Sequence, residues 1–166
     1  MSLIERDVEA LAAELGRRML ALHWRIATAE SCTGGLVAGA ITTIAGSSDW
    51  FDRGFVTYSN ESKRELLGVD EAILRDHGAV SEPTAIAMAQ GALKRSDATL
   101  SVAITGVAGP GGGTPAKPVG MVCFAWAKQG SATVSTTHYL AGDRAEVRHA
   151  SVAVALRGLI DLASSR

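Results

Sequence analysis

The octapeptide Thr28-Ala29-Glu30-Ser31-Cys32-Thr33-Gly34-Gly35 constrains the fold more than any other stretch, because it reads as a strand turning sharply into a helix through small residues. Arg25 to Ala29 is short, apolar and partly β-branched, whereas Gly34 to Ala45 carries a helical pattern that ends at Gly46. A strand feeding a helix in this way is the building unit of α/β folds. On this reading Ser31 falls among the unpaired backbone N–H groups of the helix's first turn, which favour a developing negative charge. Gly34 and Gly35 admit a substrate close to the backbone and supply torsion angles that a Cβ resists. The arrangement follows the logic of a nucleophile elbow without its G-x-S-x-G spelling. The competing reading is that Ser31 and Thr33 only cap the helix, as Ser and Thr commonly do. Cys32 is a rival nucleophile, since a helix N-terminus lowers a thiol's pKa, or else a small buried packing residue.

The rest of the chain alternates in the same manner. Ser2-Leu3-Ile4-Glu5 spells a capping box, and Ile4, Val8, Leu11, Leu15, Met19 and Leu22 recur at helical spacing, so residues 3 to 22 are expected as an amphipathic helix. Arg53 to Tyr58 reads as a second strand, followed by a helix capped by Asn60 and ending at Leu67, then by one capped by Asp70 and ending at His77. Ser81-Glu82-Pro83 opens a helix to Arg95 whose Ala85, Ala89 and Ala92 form a small-residue face. Thr99 to Thr105, Gly120 to Ala127 and Ala132 to Leu140 read as strands, the last two as an antiparallel hairpin about Lys128-Gln129-Gly130. Asp143 with Glu146 makes an acidic capping box for an apolar C-terminal helix. This order predicts a three-layer α/β/α sandwich with a mixed central sheet, one domain over residues 1–166.

Size and charge narrow the partners. With 166 residues, 47% of them hydrophobic and 20% charged, the chain can bury one substantial core. A formal net charge of −1 with scattered Lys and Arg offers no field for nucleic acid. No apolar run is long enough to span a bilayer, and Glu5, Arg6, Asp7 and Glu9 stand where a signal peptide would have its apolar core. The expectation is a cytoplasmic protein without a membrane partner. Cys32 and Cys123 make no disulfide framework, and His23, His77, His138 and His149 have no metal-ligand spacing, so no metal is expected.

Two further segments can carry chemistry. Tyr58-Ser59-Asn60-Glu61-Ser62-Lys63 lies where a strand ends and a helix begins, so Lys63 sits in a first helical turn, where a cation is electrostatically misplaced. Penalising the cation is what a lysine general base needs, but lowering its pKa from near 10.4 to about 7 takes roughly 4 to 5 kcal/mol, so burial must contribute. A solvated surface lysine is the alternative. The segment from Thr105 to Pro118 holds five of the eighteen glycines and three of the four prolines, directly after a strand. Such a loop offers backbone N–H groups to an anion, with Lys117 at hand, or it is a flexible connector. It is neither a Walker loop nor G-x-G-x-x-G.

Taken together, Ala29-Glu30-Ser31-Cys32-Thr33-Gly34-Gly35, Ala45-Gly46-Ser47-Ser48, Gly54-Phe55-Val56-Thr57-Tyr58-Ser59-Asn60, Gly78-Ala79-Val80-Ser81-Glu82, Gly106-Val107-Ala108-Gly109-Pro110 and Lys117-Pro118-Val119-Gly120 resemble the CinA C-terminal domain family, over residues 5 to 162. The resemblance implies nicotinamide-nucleotide amidase activity, hydrolysis of nicotinamide mononucleotide to nicotinate mononucleotide and ammonia. It implies a Ser31–Lys63 catalytic pair with Tyr58 and Thr105 lining the site, and it needs no cofactor. Backbone N–H groups of Cys32, Thr33, Gly34 and Gly35 are the expected oxyanion donors. Gly106, Gly109, Gly111 and Gly112, with Lys117 or Arg144, are the expected phosphate site. The longer CinA proteins carry a further N-terminal domain, and the stand-alone amidase is expected here, as a homo-oligomer with a dimer favoured. The competing classes are a nucleotide-binding or regulatory module without turnover, and a hydrolase of another small amide.

Overall fold

β1 (Ile26–Glu30) is buried at every position, which makes it an interior strand with neighbours on both flanks. It pairs in parallel with β2 (Phe51–Val56) on one side and with β3 (Leu100–Gly106) on the other. β4 (Met121–Lys128) and β5 (Val134–Tyr139) extend the sheet antiparallel beyond β3, giving the order β2-β1-β3-β4-β5. The expected hairpin is therefore present. The computed structural model describes residues 3–165, with side chains from Arg6 to Ser165, so the capping box expected at Ser2 to Glu5 lies outside the described residues.

Chain direction decides the layers. From β1 the chain passes through a helix at Leu36–Thr42 to reach β2 on one flank, then through helices at Asn60–Leu67, Glu71–His77 and Glu82–Lys94 to reach β3 on the other. Right-handed crossovers running in opposite lateral directions put their helices on opposite faces of a sheet. With α1 at Leu3–Leu22 and α6 at Arg144–Ser164, these four are α2 to α5 in order. α1, α2 and α6 accordingly pack over one face around Leu15, Ile41, Trp50, Phe124 and Leu156. α3, α4 and α5 cover the other around Leu67, Met88 and Ala103. This is the three-layer α/β/α sandwich with a mixed sheet that the element order predicts.

The two faces are built from different residues. Along β4, Val122, Phe124 and Trp126 point to the α6 side, whereas Cys123, Ala125 and Ala127 point to the α5 side. Small sheet residues there meet Ala85, Ala89 and Ala92, so α5 lies close enough for the Ser101 hydroxyl to donate to its Ala89 carbonyl at 2.7 Å. The small-residue face of Ala85, Ala89 and Ala92 is thus buried within the chain, as are Val147, Val152, Leu156, Leu159 and Ile160 of α6. No helix among the described residues is long and apolar enough to cross a membrane.

Because the connection leaving β1 runs toward β2 and the one leaving β3 runs the other way toward β4, the carboxyl ends of β1 and β3 border a crevice that no crossover fills. Ligands of open α/β sheets bind at such a switch point. Ser31 directly follows β1, and Thr105 lies at the end of β3.

Candidate active site

The Ser31 turn is longer than its sequence suggests. α2 begins at Leu36 rather than Gly34, and residues 31–35 form a separate turn in which Gly34 and Gly35 take φ of 57° and 102°. Two consecutive left-handed residues cannot belong to a right-handed helix, and glycine adopts them at least cost. The first free N–H groups of α2 do not face a substrate. Glu30, 1% exposed, accepts from Val37 N at 2.9 Å and from Ala38 N at 3.0 Å, one bond to each carboxylate oxygen. A charge placed on a helix N-terminus in this way is stabilised by the same dipole that the sequence assigned to a substrate. Within the turn, Ser31 N donates to the Ile104 carbonyl at 2.9 Å and Gly34 N to the Ser31 carbonyl at 3.0 Å. The N–H groups of Cys32, Thr33 and Gly35 meet no acceptor among the described residues.

Lys63 reaches this turn from α3. Ser59, not Asn60, caps that helix: its hydroxyl accepts from Ser62 N at 3.0 Å, and Ser62 Oγ accepts from Ser59 N at 3.1 Å. Lys63 follows, pointing inward and only 1% exposed. Its Nζ donates to the Thr57 carbonyl at 2.8 Å and lies 3.1 Å from Ser31 Oγ. Among the described residues no carboxylate pairs with it. Burial pushes its pKa below the usual 10.5, with only the neighbouring Cys32 acting weakly in the opposite sense. Cys32 is itself buried, and that burial pushes its thiol up to about 11. The hydroxyl therefore stands beside an amine that sheds its proton more readily than usual, while the adjacent thiol holds its own.

The other expected residues divide. Tyr58, 63% exposed, stands at the rim of a cleft of about 250 Å³ that Ser31, Lys63, Thr105, Gly106 and Arg144 also line. Thr105 donates its hydroxyl to the Ala79 carbonyl at 2.7 Å and the Tyr58 hydroxyl accepts from Arg144 Nη2 at 3.1 Å, and neither is hydrogen-bonded to Lys63 or Ser31. Arg144 also donates through Nη1 to the Gly109 carbonyl at 2.8 Å, which ties the glycine-rich loop to the rim. The foot of that loop is closed by Val107 N on the Met121 carbonyl and Gly120 N on the Val107 carbonyl, at 2.9 and 2.7 Å. Gly111 and Gly112 are exposed and do not line the cleft. Lys117 lies elsewhere: its Nζ donates to the His77 carbonyl at 2.5 Å, at the C-terminus of α4. A cation there complements the helix dipole. No group of three or more His, Cys, Asp or Glu side chains converges as metal ligands among the described residues.

Sequence reading missed Glu30 and Arg148. Arg148 Nε donates to the Cys32 carbonyl at 3.1 Å, and its Nη2 lies 3.4 Å from the Thr33 carbonyl. The signal for it was present, since Arg144 and Arg148 stand four apart on one helix and must share a face. Glu30 gave no signal, because a carboxylate ending a buried strand finds its partners only once the helix folds back over it.

Fold and site together define an α/β protein with a buried lysine amine against a serine hydroxyl at the switch point of its sheet. The sequence matches the profile of the CinA C-terminal domain over residues 8–163, and the chain belongs to that family. It is 48% identical over 155 residues to the nicotinamide-nucleotide amidohydrolase PncC of Escherichia coli K12, covering 93% of this chain and 94% of that protein. A CinA-like protein of Mycolicibacterium gilvum is 52% identical over 155 residues, and there the chain spans only 35% of the relative's length. The crystal structure of the competence/damage inducible protein CihA from Agrobacterium tumefaciens superposes with a TM-score of 0.93 at 50% identity, covering 98% of this chain and 99% of that one.

Proposed function

We propose that this protein hydrolyses the carboxamide of nicotinamide mononucleotide, with Ser31 as nucleophile and Lys63 as general base and acid. The observation that carries the reading is the 3.1 Å approach to Ser31 Oγ of a buried Lys63 Nζ with which no carboxylate among the described residues pairs. The name of the Escherichia coli relative supports the substrate.

In the first step Ser31 Oγ attacks the carboxamide carbon while its proton passes to neutral Lys63, and the carbonyl oxygen becomes an oxyanion facing the free N–H groups of the Ser31 turn. Lys63 then returns the proton to the amide nitrogen as the C–N bond breaks, so ammonia leaves and an ester on Ser31 remains. Water attacks that ester, gives one proton to Lys63, and Lys63 passes it to Ser31 as the C–O bond breaks. Nicotinate mononucleotide is released and both groups are restored. Removing one oxyanion donor typically costs about 10²- to 10³-fold in rate.

Arg144 is the cation for the nucleotide phosphate, beside the backbone of Gly106 and Gly109 at the same rim. Residues 1–166 act as one domain, in the cytoplasm, where the buried free thiols of Cys32 and Cys123 are at home. Self-association as a dimer rests on the family resemblance alone, since the apolar faces of α5 and α6 are occupied within the chain.

The test is ammonia release from nicotinamide mononucleotide by the wild type, Ser31→Ala, Lys63→Ala and Cys32→Ala. Full activity in Ser31→Ala overturns the assignment, and nucleotide binding without ammonia from the wild type favours a regulatory module.

A further inference from the structure

The cleft at Ser31 encloses about 250 Å³, short of the roughly 300–1,000 Å³ of pockets that enclose a small ligand, so part of a mononucleotide extends beyond it. A larger cavity of about 650 Å³ adjoins the cleft and shares Ala108 and Arg144 with it as walls. Arg148 lines this second cavity and takes no part in the steps above. Its Nε donates to the carbonyl of Cys32, the residue after the nucleophile, so the cavity opens beside the Ser31 turn on the α6 side.

Two cations face that space. Arg144 and Arg148 stand four residues apart on α6, which puts both guanidiniums on one side of the helix. Backbone carbonyls fix each of them: Gly109 holds Arg144 Nη1 at 2.8 Å, while Cys32 holds Arg148 Nε at 3.1 Å with Thr33 at 3.4 Å from Nη2. A carbonyl is uncharged, so it orients a guanidinium without neutralising it. Among the described residues no carboxylate pairs with either arginine. Each guanidinium carries five N–H groups, and Arg148 Nη1 meets no acceptor among the described residues. The one carboxylate lining the cavity there, Asp143, is engaged at the cap of its own helix, where Oδ1 accepts from Glu146 N at 2.9 Å. The cavity thus holds two positive charges against one negative.

We propose that this cavity is the phosphate pocket of the site and that Arg148 is its second cation, so that the two arginines together select a phosphate monoester over a diester. The proposal rests on the mononucleotide reading above. A monoester carries about −1.5 to −2 charges at neutral pH, and a guanidinium fork matches phosphate oxygens two at a time. Two forks therefore suit a dianion, whereas a diester, with a single charge, leaves the second guanidinium without an opposite charge to meet. With the carboxamide at Ser31, Arg144 at the shared wall and Arg148 within the cavity would grip the phosphate from one helix face.

The experiment measures, by calorimetry, the binding of ribose 5-phosphate and of its phosphate methyl ester to the wild type, Arg148→Lys and Arg148→Met, with melting temperatures for each. Arg148→Met is expected to weaken ribose 5-phosphate by on the order of 10- to 100-fold, and to narrow its advantage over the methyl ester. Arg148→Lys keeps the charge without the fork and is expected to fall between. In turnover, KM for nicotinamide mononucleotide should rise with kcat nearly held, and the preference for the nucleotide over its riboside in kcat/KM should shrink. An arginine that merely braced the Ser31 turn would lower both substrates together and leave that preference intact. That result overturns the inference, as does unchanged ribose 5-phosphate binding in a folded variant. Should Arg148→Met fail to fold, Arg148→Lys decides. Because the binding measurement needs no turnover, the two readings fail separately. Arg148-dependent binding without ammonia from the wild type overturns the amidase and keeps the phosphate pocket, and ammonia with Arg148-independent binding does the reverse.

Discussion

Lys63 Nζ is bonded to the Thr57 carbonyl at 2.8 Å, closer than its 3.1 Å approach to Ser31 Oγ. Thr57 follows β2, and its own N donates to the Glu30 carbonyl at 2.8 Å, so the acceptor that orients the amine is built onto the sheet edge. A neutral amine has two N–H groups and one lone pair. With one N–H directed to the Thr57 carbonyl, the lone pair can face the Ser31 hydroxyl and accept its proton. The carbonyl is uncharged, so it steers the amine without the ion pair that would hold it protonated.

Activity should therefore follow deprotonation of Lys63. Burial lowers its pKa from the usual 10.5, so kcat/KM is expected to rise with pH along an acid limb whose midpoint lies below that value. Lys63→Arg, which cannot deprotonate, should lose about 10²- to 10⁴-fold at every pH. A pH–rate profile with a limb at 10.5 or above would show that the amine is not the base.

The same burial has a cost in stability. A lysine whose folded pKa is depressed binds fewer protons folded than unfolded, so its penalty is complete below the folded pKa and fades as pH rises toward the unfolded 10.5. Lys63→Met keeps the volume and removes the charge, so it should melt higher than the wild type at neutral pH, with the gap narrowing as pH climbs through that window. Thermal melts of the two proteins across pH check both the sign and the convergence. An unchanged or lower melting temperature in Lys63→Met would mean that the amine finds compensation beyond its two contacts.

Cys32 is expected to be a spectator. Its thiol, pushed up to about 11 by burial, has little thiolate at neutral pH. Cys32→Ala should keep most of the turnover, and iodoacetamide should modify the folded protein slowly near neutrality. Rapid alkylation with loss of activity would revive the thiol as nucleophile.

How much of this was legible in the sequence depends on the range of the interaction. Asp70, Ser81 and Asp143 were found as caps because a cap acts on N–H groups two or three residues away. The strand–turn–helix at Ser31 was found for the same reason, but its helix was started two residues early. The brake on that helix is the left-handed pair Gly34–Gly35, and the Glu30 carboxylate reaches its N–H groups seven and eight residues on. The Lys63–Ser31 meeting spans 32 residues and joins the ends of two adjacent strands, β1 and β2, and only the family's shared strings pointed to it. The destination of Lys117 was hidden because its partner is the backbone carbonyl of His77, 40 residues away, and no side-chain pattern marks a carbonyl.

The two candidate phosphate cations should separate cleanly. Arg144 lines the cleft and Lys117 does not, so Arg144→Ala should raise KM for the nucleotide by on the order of 10- to 100-fold, the worth of one charged hydrogen bond of about 1.5–3 kcal/mol. Lys117→Ala should leave KM unchanged and slightly weaken α4. The riboside, which lacks the phosphate, should be insensitive to Arg144→Ala. Equal loss on nucleotide and riboside would assign Arg144 to the rim alone, through Tyr58 and Gly109.

Packing behind α3 should reach the chemistry. A Cβ on Gly91 of α5 would lie 2.0 Å from the Leu67 carbonyl at the end of α3, one turn beyond Lys63. Gly91→Ala must push α3 outward, and overpacking of this kind typically costs about 1–3 kcal/mol. Because Lys63 rides on the displaced helix, its amine should withdraw from Ser31 and kcat should fall beyond what the folded fraction explains. Gly158→Ala is the matched control: its Cβ would lie 2.1 Å from Trp126 Cε2, an equal intrusion, but in the opposite layer and away from α3. Urea denaturation and kcat measured at full folding should show both variants destabilised and only Gly91→Ala slowed. If Gly158→Ala slows turnover as much, the lysine's position does not depend on the α3–α5 contact.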